Sequence, residues 1–385
     1  MPINIEKYLD ELIDLRHRLH AIAELSNEED ETSSEIVKYL KSTSPDRIQT
    51  DIGGQGVLAT YESGNEGPHL LLRCELDALP IPDVNDTEYQ SKTEGVGHKC
   101  GHDGHMAILC GVAKLLQDEP PETGKVTLLF QPAEETGEGA RRVLDDPKFQ
   151  EYAPDYCFAL HNLPGFKKNQ IIIREDVFAA ASVGMEVNFK GATAHAAHPE
   201  QGRSPALAMA QVVQAFSAAP QFYSPLEKAA KVTVINARLG ERAFGTSPGD
   251  ATVLATLRTY DEALLEKLKE NCLEIAEQTA QTYSLAVNHE WVEPFPATKN
   301  SKEATQAIIS ATEKLDYEMV KKEHPFSWSE DFGHFTNEIG GAMFGVGIGT
   351  DHPSLHAENY DFEDDVIATA SKLFIQIIKD LSKEK

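Results

Sequence analysis

Three histidines and a cysteine, each able to bind a metal ion, fall within the eight residues His98-Lys99-Cys100-Gly101-His102-Asp103-Gly104-His105. The two glycines leave little bulk between them. Cys100 and His102 are one residue apart, and in an irregular loop that spacing lets a thiolate and an imidazole converge on one point. A soft sulfur beside a borderline nitrogen suits zinc or another late divalent transition metal. A histidine-rich surface loop with an incidental cysteine is the alternative, and distant partners weigh against it.

Those partners follow apolar runs. Residues 69–73 read as a buried strand and lead into Glu75-Leu76-Asp77-Ala78-Leu79-Pro80. Acids just past a strand end stand where α/β sheets place their chemistry, although loop-capping acids look the same. Residues 125–130 read as another strand, ending in Gln131-Pro132-Ala133-Glu134-Glu135-Thr136-Gly137. In metal hydrolases such neighbouring acids divide the work, one binding metal and one moving protons. An extended backbone would point the two to opposite sides. Residues 156–160 form a third run, and it delivers His161-Asn162-Leu163-Pro164. Further along, Ser329-Glu330-Asp331-Phe332 and Leu355-His356-Ala357-Glu358-Asn359 read as loops. His356 is the last candidate ligand, with His324, His334 and His352 nearby and unranked by composition.

The elements that must position these groups follow from periodicity. Residues 8–23 place Leu9, Leu12, Ile13 and Leu19 at helical spacing, with His17 and His20 read as surface or packing residues. Residues 31–40 form a second helix, Asp51-Ile52-Gly53-Gly54 a turn, and 57–61 a strand. Residues 104–117 form a helix, so the metal-capable cluster lies where a loop enters it. After a short strand at 171–173 the character changes. Strand 184–190, helix 204–217, strands 232–239 and 251–260, helix 262–282 and strand 285–292 give a β-α-β-β-α-β order, the ferredoxin-like split arrangement. Residues 183–292 are therefore expected to form an inserted α+β domain. The flanking 1–182 and 293–385 would form the catalytic domain, with regular elements resuming at 301–315, 342–346 and 364–381.

The 385 residues make two domains the prior, and 41% hydrophobic with 25% charged residues is ordinary globular composition. A formal net charge of -27 argues against nucleic acid and anionic membrane as partners. No run approaches the roughly 18 apolar residues of a membrane span. Met1-Pro2-Ile3-Asn4-Ile5-Glu6 lacks the basic-then-apolar layout of a signal peptide. The odd count of five cysteines then suggests reduced thiols and a cytoplasmic location. Cys74, Cys110, Cys157 and Cys272 lie in apolar runs and read as core.

Taken together, these motifs resemble the co-catalytic di-metal metallopeptidases and amidohydrolases that include aminoacylases, carboxypeptidase G and the hydrolases of hippurate and indole-acetyl-amino acids. The likeness is to the branch in which a cysteine bridges the metals. It runs from Leu15-Arg16-His17-Arg18-Leu19-His20 to His356. The fold it implies is α/β: a phosphorylase/hydrolase-like mixed-sheet catalytic domain with an inserted ferredoxin-like α+β lid and dimerisation domain. It implies two divalent ions, zinc or manganese, with cobalt or nickel as further candidates. Cys100 would bridge them, with His102, Glu135, His161 and His356 as further ligands. Glu134 would be the general base, Asp77 would hold an imidazole ligand in its tautomer, and His195 of the insert would reach the substrate carbonyl. The partners implied are a small N-acyl amino acid substrate and a second copy of the chain, joined through the insert.

Three departures stand out. The branch has Ala-Asp-Met-Asp where this chain has Cys74-Glu75-Leu76-Asp77, paired glycines where it has Thr193-Ala194, and Asn-Val-Ile-Pro where it has Phe244-Gly245-Thr246-Ser247-Pro248. The last two lie where substrate is held and do not touch the metal set.

Two divalent ions beside a carboxylate suit amide hydrolysis, because the ions activate water and polarise the carbonyl while the carboxylate moves the proton. His195 could donate to the developing oxyanion, and Arg258 and Asn236 on insert strands could hold the carboxylate of a leaving amino acid. For Arg258 a strand-edge surface charge is the competing reading. A dipeptidase or carboxypeptidase, or an N-acetyl-diaminopimelate deacetylase, would use the same set. A cysteine-nucleophile hydrolase built on Cys100 with His102 or His105 would leave Glu134, Glu135, His161 and His356 without work. An inactive dimerising scaffold would have no use for Glu134. Chelation separates these classes: activity should vanish without metal and return with zinc or manganese, and full turnover by the stripped protein would exclude the di-metal reading.

Overall fold

A computed structural model describes residues 3–383. The chain divides into two compact units. One comprises the residues up to Phe178, Thr298–Pro325 and those from Asp331 on; the other comprises Ala179–Ala297 and Phe326–Glu330.

The first unit is built on an eight-stranded mixed sheet. Its strands include β1 (Arg47–Ile52), β2 (Gly56–Glu62), β3 (His69–Glu75), β4 (Lys125–Gln131), β5 (Tyr156–Pro164) and β6 (Ile171–Ile173). The order is β1-β2-β4-β3-β5, then Gly341–Gly349, β6 and Met319–Lys321. At its centre β4, β3, β5 and Gly341–Gly349 run parallel. Parallel strands covered on both faces read as unbroken apolar runs, which is how these were legible.

Alternate residues enter the main core. Leu70, Leu72 and Cys74 of β3 and Val126, Leu128 and Phe130 of β4 do so. They pack with α1 (Leu9–Ala21), α2 (Asp30–Leu40), α3 (His102–Asp118) and the helices Lys302–Lys314 and Val366–Leu381. The intervening Arg73 points the other way, with its guanidinium 5.8 Å from the centre of the Phe332 ring.

Several expectations are corrected. β5 does not end before His161 but runs on to Pro164, because Gly341–Gly349 stays paired with it through Gly345↔His161 and beyond. His161 therefore sits inside a strand. Glu134 and Glu135 lie in a turn, not in extended backbone, since Ala133 before them has φ 51, in the left-handed region. α3 begins at His102, so that imidazole stands in the helix's first turn. β1, not foreseen, is an edge strand whose side chains are mostly exposed or half-buried, which leaves no apolar signature.

In the second unit Ala230–Leu239, Asp250–Thr259, Ala181–Lys190 and Ala286–Phe295 lie side by side in that order, each antiparallel to its neighbour. The helices Ala206–Tyr223 and Glu262–Thr282 complete it. Ala251, Val253, Ala255 and Leu257 alternate as buried residues along one strand, the pattern of a sheet with one covered face. A short ribbon pairs Ala194–His195 with Thr246–Ser247. Among the described residues no helix is long and apolar enough to cross a membrane.

Phe344 is fully buried and meets Phe374 of the last helix edge-on, with ring centroids 5.2 Å apart. Phe344→Ala should therefore lower unfolding free energy by about 3–5 kcal/mol in urea titrations. A loss under about 1 kcal/mol would mean this seam is not part of the cooperative core.

Candidate metal centre

Among the donor clusters of the described residues, three in the first unit are made of expected site residues. Ligand atoms of Cys100, His102 and His161 lie within 4.8 Å of one another, as do those of Cys100, Glu135 and His356, and those of His102, Glu134 and Glu135. Cys100 Sγ is 3.4 Å from His161 Nε2. His102 Nε2 is 3.9 Å from both Glu134 Oε2 and Glu135 Oε1, and His356 Nε2 is 3.8 Å from Glu135 Oε1. The structure thus gathers all five expected ligands and the expected base. The two acids do not diverge as an extended backbone would require; both approach His102. They differ in their anchors. The backbone N–H of Asp331 donates to Glu134 Oε1 at 3.4 Å, whereas the N–H of Glu135 donates to Asp77 Oδ2 at 2.9 Å.

Local geometry aims each donor. Gly101, between Cys100 and His102, has φ 93, and a Cβ there would lie 2.4 Å from Asn162 Oδ1 and 2.6 Å from the Tyr360 hydroxyl. Only glycine fits both the backbone and the space. His102 Nδ1 donates to the Asp77 carbonyl at 2.8 Å, which leaves Nε2 buried and without a hydrogen-bond partner. His161 Nδ1 donates to the Asn162 carbonyl at 2.8 Å, which leaves its Nε2 turned to Cys100 Sγ. His356 adopts φ 64, an uncommon conformation for a residue with a side chain. Its N–H donates to the Lys99 carbonyl at 2.8 Å. Behind the turn, buried Glu29 accepts the N–H of Ala133 at 2.7 Å.

The electrostatics are uneven. Burial opposes charge on His102, but its hydrogen bond to Asp77 and the charges of Glu75, Asp77 and Glu135 outweigh that and push it up to about 10. His161 is driven down to about 3 by burial and by the neighbouring imidazole of His105. Burial, with Asp77 nearby, raises Glu29 to about 7. The acids thus draw positive charge to the place where His102 Nε2 points. A divalent cation satisfies that demand and takes neutral imidazoles as ligands. A thiol, a carboxylate and imidazoles whose other nitrogen is already committed make a donor set that fits such ions.

Residues 71–380 match the family model described as peptidase family M20/M25/M40. The chain belongs to this family. It is a metal-dependent amidohydrolase of the M20 kind. It is 31% identical over 386 residues to the N-acetyl-L-cysteine deacetylase of Bacillus subtilis, covering 99% of this chain and 90% of that one. Among solved structures it is similar to the Bacillus subtilis YxeP protein, described as a dinuclear metal binding peptidase of the M20 family. There the TM-score is 0.81 at 25% identity, covering 98% of this chain and 99% of that one. A putative aminohydrolase of methicillin resistant Staphylococcus aureus shares the fold, with a TM-score of 0.88 at 23% identity and 98% of both chains covered.

The remaining candidates of this M20 chain lie on its second unit. His195 is exposed, and its Nδ1 accepts the Ala197 N–H at 3.0 Å, so a neutral ring carries its proton on Nε2. Asn236 stands on the edge strand opposite Leu254, and Arg258 stands opposite Lys231. Residues 254 and 258 of one strand share a face, so Asn236 and Arg258 do too. Arg258 is no free surface charge: Nη1 donates to the Ser327 carbonyl at 2.8 Å and to Ser329 Oγ at 2.7 Å. Cys74, Cys110, Cys157 and Cys272 are buried, as expected of core residues. Buried His98 has neither ring nitrogen hydrogen-bonded and belongs to none of the three donor sets.

Two buried charge networks escaped sequence reasoning. Arg73 donates to Glu75 and Asp331 and, through Nε, to Gln131 Oε1 at 2.8 Å. Charges at 73 and 75 inside an apolar strand were the available signal. The second network was hidden in α1. His20 bonds Asp103 Oδ2 at 2.8 Å and Asp83 Oδ2 at 3.1 Å. Arg16 Nη1 reaches Asp361 Oδ1 at 2.8 Å, and Lys99 Nζ reaches Asp83 Oδ1 at 2.6 Å. Burial opposes charge on His20, but its hydrogen bonds to Asp103 and Asp83 raise it to about 9.

A raised folded-state pKa stabilises fully below the unfolded value of about 6.5 and fades as pH climbs through the folded one. The stability gap between the wild type and His20→Gln, from denaturant unfolding, should accordingly be widest below about pH 6.5 and shrink as pH rises through about 9. A gap constant across that window would show that His20 is not charged there.

Proposed function

We propose that this enzyme hydrolyses the amide bond of N-acyl amino acids or related small N-acyl conjugates, releasing a carboxylic acid and an amino acid. The observation that carries the reading is the pair of donor sets sharing Cys100, with Glu134 beside them. The relative described as a deacetylase of N-acetyl-L-cysteine supports the substrate class, and the YxeP neighbour supports two ions.

Cys100, His102, Glu135, His161 and His356 would hold two divalent ions, Cys100 being common to two of the donor groups. The sulfur ligand favours zinc over manganese. When bound, the ions supply Lewis-acid chemistry at the amide carbonyl and at water. Glu134 takes the proton of the attacking water and delivers it to the leaving nitrogen. The Asp331 N–H on Glu134 Oε1 keeps that carboxylate on station. Asp77 holds His102 through its carbonyl and steadies the Glu135 backbone through its carboxylate. His195, with its proton on Nε2, donates to the oxyanion. Arg258 and Asn236 present donors on one sheet face for the amino acid's carboxylate, Arg258 exchanging Ser327 and Ser329 for it.

The second unit serves as a ferredoxin-like lid and dimerisation domain. Leu207 and Phe222 on its first helix and Ile235 on its edge strand are 64%, 76% and 61% exposed, large apolar groups suited to burial against a second copy. Five cysteines held as thiols, none in a disulfide among the described residues, fit a reducing cytoplasm.

Glu134→Gln should lower kcat roughly 10²–10⁴-fold while metal content stays that of the wild type. Acetyl, benzoyl and indole-acetyl amino acids, assayed with zinc and with manganese, are the panel to use. Unchanged turnover in the variant would remove Glu134 as base, and no turnover of any of them by the wild type would remove the substrate class.

A further inference from the structure

His105 belongs to the cysteine–histidine stretch, near the start of α3, yet has no part in the centre just proposed. Both of its nitrogens are committed. Nδ1 lies 2.6 Å from Glu75 Oε2, and Nε2 accepts the backbone N–H of Asn162 at 3.2 Å. A carboxylate only accepts, and a backbone N–H only donates. The imidazole is therefore protonated on Nδ1 and presents a lone pair at Nε2.

The chain of bonds continues on both sides. Glu75 also accepts from Arg73, whose other nitrogens reach Gln131 and Asp331. Beyond Asn162, its carbonyl accepts His161 Nδ1–H at 2.8 Å, and its side-chain Nδ2 donates to the Tyr360 hydroxyl at 2.7 Å. The Asn162 peptide is thus gripped at its N–H by His105 and grips the His161 ring with its carbonyl. Every group named along this path is buried.

We propose that His105 is a positioning residue which, backed by Glu75 and Arg73, fixes the Asn162 peptide and through it the tautomer and aim of the His161 imidazole. The inference rests on the di-metal reading of the centre. A ligand role is the competing assignment, since atoms of Glu75, His102 and His105 also lie within 4.8 Å of one another. It would require His105 to surrender either the Glu75 carboxylate or the Asn162 N–H, leaving one of them buried without that bond.

The test uses Co²⁺ alone, without substrate, on the full chain. Wild type, His105→Gln and His105→Leu are stripped and titrated, reading stoichiometry, affinity and the thiolate-to-cobalt absorption. A glutamine amide can donate to Glu75 and accept from Asn162, so His105→Gln should bind like the wild type. His105→Leu should still take up as many ions, with one bound roughly 10- to 100-fold more weakly and with an altered absorption band. Loss of one ion in both variants would make His105 a ligand, and a leucine variant identical to the wild type would make it mere packing; either overturns the proposal. Should His105→Leu not fold, Glu75→Gln replaces it, because one amide oxygen cannot satisfy both Arg73 and His105, and the same weakening is expected. A wild type that takes up no Co²⁺ would instead defeat the di-metal reading, and this inference with it.

Discussion

Buried negative charge is the constraint on which the catalytic unit depends. Asp77, Glu75, Asp103 and Asp331 are inaccessible to solvent, and a buried carboxylate is tolerable only when paired. Most of these acids meet cations supplied by the chain itself. Arg73 serves Glu75 and Asp331; Arg16 and His20 serve Asp103. Around His102 the acids instead draw a proton onto the imidazole. That is the behaviour of a place arranged for a cation the polypeptide does not provide.

The internally paired charges account for the order of the rest. Each network seizes the backbone beside a prospective ligand from behind. Asp103 follows His102 in sequence and is held by α1 through His20. Asn162 follows His161 and is held by His105 and Tyr360. Asp331 is fastened to Arg73 and Gln131 and reaches Glu134 with its own N–H. The donors are thereby aimed by groups outside the expected ligand set, and little rearrangement is left for metal binding to drive.

Much of this was legible in the sequence, for identifiable reasons. The central strands were visible because both of their faces are covered, so apolar residues dominate them and stand on both faces. The donor motifs were visible because Cys100, His102, Glu134, Glu135, His161 and His356 each stand within or after an apolar run or in a distinctive local motif. β1 was invisible because it lies at the edge and carries no apolar stripe. The turn at Ala133 was misread as extended because neither Ala133 nor the acids after it advertise a left-handed backbone. His20 was read as packing because nothing in a helical period reveals that two aspartates, at 83 and 103, will close on its ring.

Residue types and spacing alone determined the available chemistry: a sulfur, imidazoles and paired acids, carried on an α/β framework with an α+β segment within it. Which nitrogen of each histidine is left available to a metal, and which histidines are committed elsewhere, was decided only by tertiary structure. Those choices belong to hydrogen-bond partners from other strands and loops, such as Glu75 for His105 and the Asp77 carbonyl for His102. A tautomer depends on what lies within about 3 Å in space, and sequence order does not encode that distance.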